Sequence, residues 1–511
     1  MIKRSQRSMA MVIIGLLVSL VSVSDIAIAA EKTVQQVEGG AWHTIALQSD
    51  GTVWTWGDNS EGQLGDGSKT ERDTPVQVEG VTDVVYVAAG TYHSLALRSD
   101  GTVWAWGWNV KGQIGNGSTK DRTAPVQTLN VTEAVSIAAG YQHSLALKQD
   151  GTVLAWGDNE FGQLGVGDDL TPFTHTPVQV QGLDSAVAIS AGSKHSLALK
   201  DDGTVWAWGY NGDGQLGDGS TKQRFTPVQV EGLNSVVAIA AGDDHNFALK
   251  QDGTVWAWGY NKFGELGVGD NLPGYITPVQ VQGLDPAVAI SGGLFHSLAV
   301  KDDGTVWTWG NNWEGQLGDG SKTERDAPVQ VEGLTDVVYV AAGGQHSLAI
   351  KSDGTLWSWG LNRGGQLGDG TETGRVAPVQ VYLKQTGSFQ LSDSKSYEVG
   401  GSHYEYLLYY GSILSPGQYL SGSWSPPEGF RGTVTVSMIS TKGEDYDLTL
   451  ETVGENNRSL EKTKEYSDGS EFSKAEVPEG FSAEWSVKGH SDEDYSQEKV
   501  FVYVTTQYDD H

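Results

Sequence analysis

The chain has 511 residues, 68 of them glycine and 18 tryptophan, with no cysteine and a formal net charge of −31. The length suggests more than one domain, and many glycines with evenly spaced aromatics point to turn-rich, all-β repeats. The lack of cysteine excludes disulfides, thiolate metal ligands, cysteine nucleophiles and a lipidated N-terminal cysteine. The acidity argues against nucleic acid and anionic membrane surfaces as partners.

Residues 1–29 read as a signal peptide. Lys3, Arg4 and Arg7 form a positive start, Met9–Val23 is apolar, and Ala27-Ile28-Ala29 is a small-residue cleavage signal. The apolar run is short for a span of about 20 residues. The expectation is cleavage, no stable membrane span, and an extracytoplasmic protein that is secreted, periplasmic or held at the cell surface.

From Thr33 to about Leu383 one unit returns seven times. Its histidine recurs at His43, His93, His143, His195, His245, His296 and His346, with spacings of 50, 50, 52, 50, 51 and 50. One copy, residues 88–107, reads AAGTYHSLALRSDGTVWAWG. Residues 65–90 and 318–343 are nearly the same text, so much of the surface has been copied.

Each unit reads as four strands. In the second copy these are Val84–Val87, the alternating His93–Leu97, and Thr102–Gly107 after an Asp-Gly hairpin turn. The fourth is of the Pro75–Val78 type, with proline suiting an edge or first position. Such a unit cannot bury both faces alone, and radial packing solves this. The fold class expected for residues 30–383 is an all-β, seven-bladed β-propeller.

The segments A-G-x-x-H-S/T-L-A-L and W-G-x-N-x-x-G-Q-L-G, followed by P-V, occur in every copy with small departures. Gly39-Gly40 opens the first copy, Leu154 replaces a tryptophan, and Glu265 replaces the glutamine. The unit resembles the repeat of the regulator of chromosome condensation family. A kelch propeller has a similar period, but paired glycines occur in only some copies.

The histidine, serine, aspartate and tryptophans of the unit could suggest chemistry. A catalytic centre needs unlike groups converging on one place. Seven equivalent histidines are spread around a wheel, and the following serine is Thr44 in one copy and Asn246 in another. The expected role is a buried imidazole bonded to backbone in the strand turn, with the tryptophans packing blade on blade. Calcium binding in residues 57–68 is not expected, because Asp58 becomes Trp108, Tyr210, Tyr260 and Leu361 in other copies. No catalytic residue, metal site or cofactor is assigned.

Function is then expected where the copies differ. The pair between glycine and histidine varies most, running from aromatic to basic to acidic between fixed flanks. Its candidate binding residues are Trp42, Tyr92, Tyr141, Lys194, Asp243, Asp244 and Phe295. Equivalent turns share one face, so these should form one rim, suited to a protein partner. The resemblance implies the same, since related propellers use this turn as an interface. It also implies nucleotide exchange on a small GTPase, against which stand the leader and the lack of a basic tail.

Residues 384–396 are polar and linker-like. Beyond them His403–Tyr410, Gly432–Ser440, Asp445–Val453, Ala483–Gly489 and Lys499–Thr506 read as strands of a β-sandwich over 397–511. The stretch GEDYDLTLETVGENN, with the later GSEF, resembles bacterial pre-peptidase C-terminal domains, which implies secretion or surface retention. The whole reads as a non-enzymatic protein-binding scaffold. The alternatives are an adhesin holding cell-surface polysaccharide on its rim aromatics, and an enzyme or exchange factor.

Overall fold

Alternating strands closed by Asp-Gly turns form compact four-stranded sheets. The first blade holds β1 (Val34–Gly39), β2 (His43–Gln48), β3 (Val53–Gly57) and β4 (Arg72–Gln77), antiparallel and in that order. At the β2–β3 hairpin Gly51 takes φ of 80°, and Asp50 Oδ1 accepts from Thr52 N and Oγ1 at 3.1 and 2.7 Å. The recurring Asp-Gly-Thr is therefore a turn clamp.

This computed structural model describes residues 33–167, 172–270 and 272–383 fully, and beyond them only backbone strands between Gln390 and Asp509. Residues 1–29, read as a signal peptide, lie outside the described residues. The chain divides into two units, the first ending at Leu383 and the second beginning at Lys384.

In the first unit six further sheets repeat the pattern, ending with Val337–Ala342, His346–Lys351, Leu356–Gly360 and Arg375–Val381. Each blade is one continuous stretch of chain, and together they form the seven-bladed propeller. The cores lie between blades rather than within them. Ile45, Leu47 and Val53 of the first blade pack with Val84, Val87, Ala96 and Trp106 of the second. Because neighbours cover both faces, all of His93–Leu97 is buried, not just alternate residues.

One detail differs from the sequence expectation. The outer strand starts at Arg72, so Pro75 sits inside it. The register slips there between Thr55 and Gly57, and proline is tolerated at this edge-strand irregularity. The ring closes without a shared sheet. The terminal segments meet through packing, with Val37, Ala46 and Trp56 in one core with Val381 and Leu383.

A bulge between residues 84 and 86 pushes the Val85 side chain outward, and Val187, Val237, Val288 and Val338 repeat this exposure.

In the second unit, strands Gln390–Val399, Ser402–Ser412, Gly432–Ser440, Lys464–Glu465, Ser470–Val477 and Lys499–Asp509 form one sheet. Tyr419–Trp424, Tyr446–Gly454, Asn457–Lys462 and Ser482–Gly489 form another. The first strand occupies part of the stretch read as a linker. Among the described residues no helix is long and apolar enough to cross a membrane.

Candidate functional site

The repeated histidine fixes the frame. His43 Nε2 meets Ser94 Oγ of the next blade at 3.0 Å, and the contact repeats from His93 to Ser144 at 2.9 Å and onward around the ring. Ser94 Oγ donates back to Gln63 O at 2.9 Å, and Trp106 Nε1 donates to the same carbonyl at 2.8 Å. Both lone pairs of that oxygen are thus used.

The serine hydrogen is committed to the carbonyl, so the imidazole must donate from Nε2. Each histidine is neutral, with Nδ1 as a bare nitrogen that has no partner. Burial pushes His43, His93, His143, His245, His296 and His346 down to about 3, and His195 is lowered too. The imidazole therefore stitches blade to blade rather than bonding the backbone of its own turn. The preceding glycine is required by space. A Cβ on Gly90 would lie 2.3 Å from His93 Cε1 and 2.6 Å from Gly140 O.

The aspartates of the Gly-Asp-Gly loops also serve the frame. Asp66 Oδ2 accepts from Arg72 Nε and Nη2 at 2.9 and 2.7 Å, and Asp218, Asp319 and Asp369 repeat the pairing. Burial would raise the Asp66 carboxyl, but bonds from Ser68 and Arg72 hold it below its ordinary range.

The variable turns, residues 41–42 and their equivalents, share one end of the ring with the loops that follow the third strands. Asp58 N donates to Trp42 O, and Trp108 N to Tyr92 O, which joins the two loops in each blade. Together they make a display face. Asp-Gly hairpins and interblade links occupy the opposite face.

All seven candidate residues lie on this display face. Trp42 is exposed and the others are half-buried. Burial raises the Tyr92 phenol, and the Trp42 indole of the preceding blade acts against this. Tyr92 and Tyr141 are bridged by Trp108, at ring separations of 5.7 and 6.1 Å. Lys194 Nζ stands 4.9 Å over the Phe161 ring. Phe295 joins Tyr260 and Phe263 at 6.4 and 5.3 Å, and Phe263 meets Trp313 at 5.3 Å. Burial, and then the charge of Asp244, push the Asp243 carboxyl up to about 7.

The sequence reading missed Trp108, Phe161, Tyr210, Asp213, Tyr260, Phe263 and Trp313. Their signal was present in the variable x positions of W-G-x-N-x-x-G.

A central shaft of about 300 Å³ runs between the innermost strands, lined mainly by glycine and alanine. Gln36, Glu38, Tyr86 and Tyr339 add polar groups where the last, first and second blades meet. The Tyr339 hydroxyl and Gln36 Nε2 both donate to Glu38 Oε1, while burial raises that carboxyl.

Seven contiguous four-stranded blades, stitched through buried histidines and with variable loops gathered on one face, define a repeat-built β-propeller. Residues 16–237 and 131–404 match the RCC1-like domain, and the chain belongs to that family. It is similar to Prp20p from Saccharomyces cerevisiae, at 27% identity and a TM-score of 0.60 over 66% of this chain and 87% of that one. That structure was described together with the binding of Prp20p to Gsp1p and histones. Human WBSCR16 shares the fold at 24% identity and a TM-score of 0.60, over 67% of this chain and 96% of that one. The human E3 ubiquitin-protein ligase HERC2 is 33% identical over 138 residues, which is 26% of this chain and 3% of HERC2. The chain thus spans only a small part of the length of the curated relatives it matches.

Proposed function

We propose that this chain is an extracytoplasmic, non-enzymatic protein-binding propeller that works through its display face. The contrast between frame and tips carries this reading. Gly90 and His93 are fixed in a packed seam, while Thr91 and Tyr92 between them are free to vary from blade to blade. A rigid frame with aromatic tips loses little entropy on binding, and tryptophan and tyrosine are favoured anchors. The similar Prp20p is described with protein partners, including Kap60.

Further support for a non-enzymatic role comes from the histidine belt, whose imidazoles are wholly buried, neutral and committed. The leader supports export. The two antiparallel sheets beyond Gln390 supply the elements of an accessory β-sandwich of the pre-peptidase C-terminal kind.

The test is a capture from the native envelope or medium, run beside thermal melts. A Trp42, Tyr92 and Tyr141 triple alanine variant is expected to melt normally and to bind its partner at least about tenfold more weakly, or about 1.4 kcal/mol. Normal melting with normal capture overturns the reading. A second reading, polysaccharide binding, draws on Tyr260 lying near the Asp213 and Asp244 carboxylates. The rings there meet at 47° to 76° rather than as a flat platform, which favours protein. Capture of glycan alone would reverse that preference.

A further inference from the structure

We propose that the fourth to sixth blades carry, on the display face, a recognition site for a lysine or arginine side chain of a polypeptide partner. This rests on the protein-binding reading of that face and names the partner's chemistry.

A neighbouring seam shows what such a position holds when the chain fills it itself. Lys111, in the loop of the second blade, reaches across to Asp158 of the third at 2.9 Å. Gln163 Nε2 supports the same carboxylate at 2.7 Å. Between the fourth and fifth blades the equivalent of Lys111 is Asp213, and the equivalent of Asp158 is Tyr260. The seam has gained a carboxylate and lost its ammonium. Gln215 Nε2 there donates to Asp244 Oδ1 at 2.8 Å and to Asp213 Oδ2 at 3.4 Å, so one amide gathers two carboxylates from adjacent blades.

None of Asp213, Asp243, Asp244 and Glu265 has an ion pair within 4 Å among the described residues. The cations nearest by are otherwise placed. Lys194 sits over Phe161, from where its charge acts on Asp243 without offsetting burial and Asp244, and Lys262 stands 5.8 Å from the Phe263 ring centre.

Glu265 adds a further carboxyl to this side of the ring. It stands where six blades have glutamine and is wholly buried. Its Oε2 accepts from Phe263 N at 2.8 Å, while Oε1, like Nε2 of Gln113 and Gln366, has no partner among the described residues. In the preceding blade the equivalent second atom, Gln215 Nε2, is the one that reaches the display face. A buried carboxyl oxygen without a donor is costly, and a cation seated on the display face would favour its charged form.

The walls suit the same guest. Burial raises the Tyr260 phenol, and the charges of Glu265, Asp213 and Asp244 raise it further. Phe263 and Phe295, 5.3 Å apart, continue that wall, and Trp313 beyond them is 56% exposed. Aromatic faces beside unpaired carboxylates bind ammonium and guanidinium groups, whereas an anion would be repelled.

The experiment is calorimetric titration of the full chain with a hexa-arginine peptide, and with its neutral hexa-citrulline counterpart, at physiological ionic strength. Hexa-arginine is expected to bind and hexa-citrulline not to. Asp213→Asn with Asp244→Asn keeps the acceptors for Gln215 and should weaken binding about tenfold. Asp213→Lys, which supplies in this seam what Lys111 supplies in its own, should abolish it. The control is Asp201→Asn with Asp302→Asn, exposed on the opposite face and removing the same charge; it should change binding less than about twofold.

Equal loss in both double variants, or no binding, overturns the site, because the attraction would then be diffuse or absent. Melts of each variant exclude unfolding. Such a failure leaves the display face standing if the Trp42, Tyr92 and Tyr141 variant still loses its partner. If that variant captures its partner undiminished while the peptide results hold, the cation site stands and the reading of the first three blades falls.

Discussion

His346 Nε2 lies 3.0 Å from Thr44 Oγ1, although 302 positions separate the two residues. Thr44 Oγ1 also donates to Gln366 O at 2.9 Å, as the serines do in other seams. This pair closes the ring. Thr44→Val keeps the shape and removes the hydroxyl, leaving a buried N–H unsatisfied. It is expected to cost about 1–3 kcal/mol in urea unfolding, and Thr44→Ser should recover most of it. Unchanged stability in Thr44→Val would show that packing alone shuts the seam.

The histidine belt sets an acid limit. An unfolded imidazole titrates near 6.5, while six of the folded ones are pushed down to about 3. Between those values the unfolded chain takes up protons that the folded ring refuses. Stability should be full above about pH 6.5 and fall steadily as pH drops toward about 3. Asp243 and Glu265, raised to about 7, act in the opposite sense and lose their contribution as pH rises through that value. Six imidazoles outweigh two carboxyls, so the acid side dominates. Denaturation midpoints across this range, with nitrogen NMR of the rings, test it. A belt histidine titrating near 6.5 would contradict the neutral Nε2–H form.

Gly90→Ala tests the tightness of the same seam. Its Cβ would press on the His93 ring and on Gly140 O, one of them backbone that cannot swing away. The expected loss is about 2–4 kcal/mol, with a lowered melting temperature. A normal melt for Gly90→Ala would mean that the blades can move apart at no cost.

The two classes of aromatic should separate cleanly. Trp106, Trp156 and Trp208 are wholly buried, and each donates to a carbonyl of the preceding blade at 2.7–2.9 Å. Each truncation to alanine is expected to cost about 3–5 kcal/mol, so the triple variant should not fold. Circular dichroism and gel filtration read this directly. A folded triple variant would place the ring's stability elsewhere.

Much of this architecture was legible in the sequence. The period, the four strands and the Asp-Gly turns are local features, and local features show in sequence order. The common face of Trp42, Tyr92 and Tyr141 was legible too, because fixed flanks mark equivalent turns. The histidine's partner was not. Ser94 follows His93 in the motif, yet His93 bonds Ser144 of the next copy, a relation that exists only once the blades are packed. The second loop of the display face was missed for a similar reason. Tyr260 reaches the Phe295 turn through the seam between blades, and nothing in its own repeat signals that neighbour.

Each sheet is strung from consecutive strands, and the final seam is shut by the same side-chain stitch as the other six. The ring therefore has no privileged starting point. A propeller permuted to open at the Gly182 or Gly232 link, where space is clear, and joined from Leu383 to Thr33 keeps every sheet and every stitch. Which blade comes first is then a matter of gene order alone, and the circle itself is indifferent to it.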